Sequence, residues 1–506
     1  MLARLFQVLT LLLSTCATTA FAAAGDDFTL LEHGWFEART IYFHTYSCGP
    51  TQEVAKLAGR LEQFRETYAT LAGTQAVASP PIIVLAFPDH ASLKPFLQLY
   101  HGQPANLAGF FSRGSDENLI VLSLADTAEG SLQTIFHEFA HLLFRRNEQV
   151  WPLWLKEGMA DIYSTFEVAG PHRARIGKPP ELYLRLLERQ PLMSLEKLFA
   201  VNHDSPEYNE REKQGMFYAE SWLLTHYLMI GDKGAHRTRF GALTRLLAAG
   251  EAPKAAFVNA LGSPLPVMEK ALRDYLDRAS FEPLTLAVHA DLLAPQPLAM
   301  RRLSPVETCF RLGDELLRVG RFEEAEAYFQ HAERLAPAGP LGVEGLGLLA
   351  AERGQHAEAM RYLEQAIRLG SQSYLAHFAY AREKFRLTAK APDTYGRLEK
   401  ERASEIEAEL EKSLALMPNF GPAHHLLGFV QMLQGEDLGA AEKHLERAIQ
   451  LEPENPAYLL ALAQAELFQR QPAAARQTLE LLCRPYVDEQ LQAQARRLIE
   501  SVKGEE

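Results

Sequence analysis

The sequence predicts an α+β fold: a mixed α/β part and a helical part forming one domain over residues 25–295, then an all-helical repeat array over 305–503. Three observations carry this. Short alternating or wholly apolar runs lie before residue 125. Helical periodicity runs from Ala128 to about Arg278, broken at Pro152, Pro179-Pro180 and Gly231-Asp232. Beyond Pro305, small residues recur at a fixed interval. A chain of 506 residues leaves room for about three domains, and 47% hydrophobic residues suffice for sizeable cores.

The N-terminus reads as a secretory leader over residues 1–24. Arg4 gives a positive start, Leu5 to Leu13 is an apolar run, and Ala20-Phe21-Ala22 fits a cleavage site. The run is too short to span a bilayer, which takes about 20 residues. An uncleaved anchor, or lipidation at Cys16, are the other readings of this stretch. No later segment is long and apolar enough to cross a membrane, so the mature chain is expected to be exported, periplasmic or extracellular. The formal charge is −13, and losing Arg4 lowers it by one. Such a chain is a poor general binder of nucleic acid or anionic lipid. Cys48, Cys309 and Cys483 are too far apart for a disulfide framework.

In the α/β part, Trp35 to Tyr46 alternates and reads as one strand. Glu53 to Leu71 has helical spacing, and Ile82 to Phe87 is a short buried strand. Leu107 to Phe111 and Leu119 to Leu124 flank a loop at Arg113-Gly114-Ser115-Asp116 and read as a hairpin.

After a proline-rich stretch at Pro295 to Pro305, Gly313, Gly320, Ala325, Phe329 and Ala332 recur 34 residues later as Gly347, Gly354, Ala359, Leu363 and Ala366. Period and positions resemble the tetratricopeptide repeat, in which small residues let paired helices approach closely. Further units follow at Gly428 to Pro453 and Ala463 to Leu479. Between them lies a stretched unit, Gln372 to Asn419, with an insertion expected at Ala389 to Arg397. About five units are expected, capped by a helix at Glu489 to Val502. The resemblance implies a protein-binding surface.

The chemistry is expected at His137-Glu138-Phe139-Ala140-His141. Ser131 to Arg146 contains no proline and reads as a buried helix. Residues four apart on a helix differ by about 40° in azimuth, so His137 and His141 aim at one point, as two ligands of a tetrahedral zinc must. Glu138 flanks that point, where a general base for a zinc-bound water belongs. Ten residues beyond His141, Trp151-Pro-Leu-Trp-Leu-Lys-Glu-Gly-Met-Ala-Asp161 starts a second apolar helix after the Pro152 break. An antiparallel return brings Glu157 to the metal. Two His and one Glu leave a coordination position open for water, the catalytic pattern.

The two motifs, H-E-x-x-H followed by W-L-x-E-G-x-A, resemble the gluzincin zinc peptidases, in particular the peptidase-MA-like branch often fused to tetratricopeptide repeats. The resemblance covers roughly residues 30–290. It implies Zn2+ on His137, His141 and Glu157, with Glu138 as base. Asp161, one turn after Glu157, matches the acid that orients a ligand histidine in that family; otherwise it is a solvated helix residue. Tyr218 matches a tyrosine that donates to the tetrahedral oxyanion; otherwise it is a core aromatic. His226, on the same helix, reads as a core histidine. No third histidine in metzincin spacing follows the motif. The family's substrate-binding edge strand is expected at Asn118 to Leu124. No motif for anchoring a free amino terminus is present. The resemblance thus implies a zinc-dependent peptidase whose repeats recruit a substrate or partner protein. The alternative is an envelope scaffold of repeats over a weakly active zinc-binding domain, and zinc-dependent hydrolysis of a non-peptide bond is a third reading.

Overall fold

The computed structural model describes residues 28–502 apart from 73–81, 101, 106, 108, 115, 127–128, 145–149, 171, 289–297, 389–397, 454 and 485–486. The expected leader and the expected insertion at Ala389 to Arg397 lie outside the described residues.

The N-terminal part is organised by one six-stranded sheet. Its strands are β1 (Phe36–Arg39), β2 (Phe43–Ser47), β3 (Ile82–Phe87), β4 (Gly109–Arg113), β5 (Asn118–Ser123) and β6 (Met300–Arg302). The spatial order is β6-β1-β2-β3-β5-β4. The β2–β3 and β3–β5 pairs are parallel; β6–β1, β1–β2 and β5–β4 are antiparallel. Two expectations change here. Trp35 to Tyr46 is a hairpin, because the chain turns at Ile41-Tyr42, where Thr40 N donates to Phe43 O and Ile41 is turned out to solvent. No glycine or asparagine marks that turn. And β5 is an inner strand, paired on both sides. The two edges of the sheet, among the described residues, are β4 and the three-residue β6.

Strand β3 is apolar throughout because it is covered on both faces. Ile82, Val84 and Ala86 join the core beneath helices α1 (Thr51–Ala72), α2 (Glu129–Leu143), α3 (Leu153–Ser164), α4 (Glu181–Arg189) and α5 (Arg211–Met229). The alternate residues Ile83, Leu85 and Phe87 face a second core. Helices α6 (Pro305–Arg318) and α7 (Phe322–Leu335), the first repeat, supply that second cover through Phe310, Leu312, Leu316 and Phe329. Sheet and repeats therefore share a core, and β6 stitches the connecting segment onto β1.

The stretch expected to be helical from Ala128 to Arg278 also contains strands: Glu167–Val168 and Arg173–Ile176 form a small sheet with Leu284–Ala287. At four residues or fewer, they are too short for periodicity to reveal. The helical chain breaks at Gly231, where Asp232 and Lys233 take left-handed φ of 49° and 58°.

The array continues as α8 (Leu341–Glu352), α9 (His356–Arg368), α10 (Tyr374–Thr388), α11 (Lys400–Leu416), α12 (Gly421–Gln434), α13 (Leu438–Leu451), α14 (Pro456–Phe468), α15 (Pro472–Leu482) and a last helix, α16 (Glu489–Val502). Paired helices meet at the recurring small residues. A Cβ on Gly313 would stand 2.7 Å from the Phe329 ring, and one on Gly347 the same distance from Leu363. Ser304 opens the array with a full capping box to Glu307. Cys48, Cys309 and Cys483 are free thiols. No helix of the described residues is long and apolar enough to cross a membrane.

Candidate metal centre

Helix α2 is held by its apolar side. Phe136 stacks on Phe64 of α1 at 4.5 Å, and Phe139 packs edge-on against Phe43 of β2 at 5.5 Å. That leaves His137 and His141 on the flank toward α3. Pro152 ends the connection with extended backbone and caps α3, which returns alongside α2 and carries Glu157. Gly158 sets the depth of α3 against α5: a Cβ there would collide with Thr225 Oγ1 and the Ser221 carbonyl. The same close approach brings Tyr218 of α5 to the site.

His137 Nε2, His141 Nε2 and Glu157 Oε2 form a compact triangle, with sides of 3.2 Å between the two nitrogens and 3.2 and 3.6 Å from them to the oxygen. Three donors each about 2.0–2.1 Å from one tetrahedral zinc lie roughly 3.3–3.4 Å apart. The triangle therefore has the size of a zinc site. Glu157 is 4% exposed, and no hydrogen-bond donor is aligned on its Oε2. Among the described residues this is the one group of three side chains placed to share a metal ion.

The surrounding contacts fix the ligands. His137 Nδ1 lies 2.9 Å from Asp161 Oδ1, and Tyr183 of α4 donates to Asp161 Oδ2 at 2.9 Å. The carboxylate holds the proton on Nδ1, so the Nε2 lone pair faces the other two donors. Asp161 is 4% exposed, which sets aside its reading as a solvated helix residue. Burial alone would lower the pKa of His137, but Asp161 and Glu157 outweigh it and push it up to about 10. Burial alone would raise that of Glu157, but the two imidazoles outweigh it and hold it at about 2. Two buried carboxylates thus draw positive charge to the triangle, which a divalent cation supplies.

Glu138 follows His137 on α2 and is half-buried. The Tyr218 ring lies 6.2 Å from that of His137 and is half-buried, its hydroxyl pKa raised by burial and then by Glu157. His226 is wholly buried, with Nδ1 2.7 Å from the Tyr275 hydroxyl, a core position. Two tyrosines at the site carry no sequence signal: Tyr183, from a plain amphipathic helix, and Tyr208, from the short helix Pro206–Asn209, stacked 6.2 Å from Tyr218.

On the opposite side of the sheet, the β4–β5 turn is fastened to the array. Arg318 of α6 pairs with Glu117 at 2.9 Å and Asp116 at 3.4 Å. The Tyr374 hydroxyl of α10 lies 3.1 Å from both the Asp116 carbonyl and Glu117 Oε1. A cleft of about 250 Å³ opens there, lined by Arg113, Leu348, Glu352, Phe378 and Arg382 among others.

No curated protein matches the chain. Among solved structures, it is similar to YrrB, described as a TPR protein with an unusual peptide-binding site: 16% identity over 37% of this chain and 90% of that one, TM-score 0.31. It is likewise similar to a thermophilic TPR protein of Thermus thermophilus: 20% identity, 38% and 99% covered, TM-score 0.29. PilW, described as a type IV pilus biogenesis factor, matches with 20% identity, 40% and 92% covered, TM-score 0.31. A family model for the tetratricopeptide repeat matches residues 310–374 and 433–487, so the helical array of this chain is built of tetratricopeptide repeats.

Proposed function

We propose that this chain is an exported zinc-dependent peptidase of gluzincin type whose tetratricopeptide repeats recruit a substrate or partner protein. The observation that carries the reading is the buried triangle of His137 Nε2, His141 Nε2 and Glu157 Oε2, with sides of 3.2 to 3.6 Å. Zinc held there supplies Lewis-acid polarisation of a carbonyl and a water acidified to a pKa of about 7. Glu138 accepts the proton of the attacking water and returns it to the leaving amine. Tyr218 donates a hydrogen bond to the oxyanion that develops on the carbonyl oxygen. Asp161 and Tyr183 keep His137 in the tautomer that presents Nε2. Strand β4, with its free edge, offers backbone hydrogen bonds to an extended peptide. A bound polypeptide is the substrate class that such an edge and a helical array fit together.

The test is a comparison of newly formed protein termini in cells producing the wild type or Glu138→Gln. Termini that depend on Glu138 are expected. Their complete absence, with both proteins folded and loaded with zinc, refutes peptidase activity. A second reading, a repeat scaffold over a weakly active zinc-binding domain, is favoured by the family match to the repeats. It predicts that Glu138→Gln leaves the biological role intact.

A further inference from the structure

The repeat built from α12 and α13 is joined by two histidines. His424 of α12 and His444 of α13 bring their Nδ1 atoms to 2.9 Å, and His424 Nε2 lies 3.0 Å from the Pro418 carbonyl. A carbonyl oxygen only accepts, so the proton of neutral His424 is on Nε2 and its Nδ1 offers a lone pair. His444 Nδ1–H is then the donor between the rings. The contact lies beside a close helix crossing: a Cβ on Gly428 would stand 2.8 Å from the Ala441 carbonyl and 3.2 Å from the His444 Cβ.

Protons act unequally on this bond. One added at His444 Nε2 leaves His444 a donor and the bond intact. One added at His424 Nδ1 sets two N–H groups against each other, and the rings must part. Burial lowers the pKa of both rings; at His424 the Pro418 carbonyl opposes this, and His444 and Arg447 of α13 add to it. The other charged groups on the packed helices are engaged elsewhere or solvated. Glu405 of α11 pairs with Lys384, and Glu409 with His377 and Lys412. Glu407 lies by Glu411 and Glu436. Gln469 donates to Glu442 of α13, and Tyr458 of α14 to Glu452. Lys443 and Glu446 are exposed. When the helices open, both rings return to the ordinary pKa of 6.5. The open form then takes up protons that the closed form refuses, so the stability of the pair is lost as pH falls below about 6.5. Each unit of a solenoid is held by its neighbours, so loosening α12–α13 also loosens α14–α16 beyond it. We propose that the His424–His444 bond is an acid-sensitive latch in the array, which holds α12 on α13 at neutral pH and releases the C-terminal repeats in acid. The latch is independent of the metal centre.

The test is hydrogen exchange of the full chain at about pH 7.5 and about pH 5, corrected for the intrinsic rate. In the wild type, acid should lower the protection of residues 421–451 about 10-fold or more beyond any change in residues 341–368, since one unit of pKa depression is worth tenfold. His444→Asn keeps an amide N–H where Nδ1–H donated, and His424→Asn keeps an amide oxygen where Nδ1 accepted. Each should hold its protection within about twofold between the two pH values. A neighbouring histidine supplies the control. His425 stacks on Tyr458 at 4.6 Å, and burial pushes its pKa down to about 4. His425→Phe keeps that stack without a titrating ring, and should show the full wild-type loss. Equal protection of the wild type at both pH values overturns the proposal. So does a wild-type loss in the asparagine variants, or its disappearance in His425→Phe. Should one asparagine variant fail to fold at neutral pH, the other decides.

Discussion

Removing the repeats should unfold the N-terminal part. Ile83, Leu85, Phe87, Leu119 and Val121 are each 3% exposed or less, and they face the core shared with α6 and α7. A fragment of residues 25–303 uncovers that face. Fully burying one such side chain is worth roughly 1.5–3 kcal/mol, so re-exposing about half of each of the five costs on the order of 4–8 kcal/mol. A whole domain is stable by about 5–15 kcal/mol. The loss is of the same size, and the fragment is expected to be unfolded or aggregated at 25 °C. A fragment of residues 25–370 keeps two repeats and should restore folding. The array alone, residues 305–503, should stay helical because each unit contacts only its neighbours, but with its first pair loosened. Circular dichroism melts and limited proteolysis of the three fragments decide this. A cooperative melt of 25–303 within a few degrees of 25–370 would refute the reasoning.

Other expectations follow from the metal centre and the core. Glu157→Ala should lose zinc in elemental analysis, and equal zinc in Glu157→Ala and the wild type would place the third ligand elsewhere. Asp161→Asn should weaken zinc binding by about 10- to 100-fold, since the amide no longer holds the proton on His137 Nδ1; unchanged chelator competition would contradict this. Tyr218→Phe should keep zinc and lower turnover on the order of 10²-fold, measured on any peptide the wild type cleaves. Burial raises the carboxyl pKa of Glu220, which is wholly inside, to about 8 against a small opposing pull from the Met193 N–H. The folded state thus holds a proton that the unfolded state releases above about pH 4.5, so stability falls with rising pH up to about 8 and then levels. Glu220→Gln should flatten that slope in urea melts taken from pH 5 to 9.

What the sequence discloses divides along a physical line. The triangle of His137, His141 and Glu157 is legible because helical geometry converts spacing into direction: His137 and His141 are one turn apart, and the chain returns after Pro152 to bring Glu157 back. The repeats are legible because a close helix crossing admits few residues, and Gly313 and Gly347 fill that place at one period. The supporting tyrosines are not legible. Tyr183 reaches Asp161 from 22 positions away, and nothing local distinguishes it from any other helix aromatic. The β1–β2 hairpin turns without the residues that usually mark a turn. The edge strand escapes the sequence for a related reason. Alternation shows which face of a strand is buried, but pairing partners follow from chain topology, and β4 returns to the outside of β5.

That topology joins the two halves of the molecule through the β4–β5 hairpin. At one end, β4 runs past helix α2, which carries His137 and His141, and exposes the backbone edge on which an extended chain would pair. At the other end, the turn is held by Arg318 and Tyr374, from two different repeats. Arg318 is one-seventh exposed and Glu117 is nearly enclosed, so this pair is screened far less than a surface ion pair. Breaking it removes the guanidinium paired with a buried carboxylate and leaves Arg311 as the remaining cation near it, so the cost is at most about 3–5 kcal/mol. Arg318→Ala should therefore act twice: it should lower the stability of the whole chain and free the hairpin that carries the edge strand. Hydrogen exchange separates the effects, because a purely global loss speeds exchange in α3 and β3 as much as in residues 109–123. Exchange that speeds up in α3 and β3 but clearly more in residues 109–123, with zinc content unchanged, is the expected outcome. Uniform acceleration would mean that the repeats stabilise the sheet without positioning its edge.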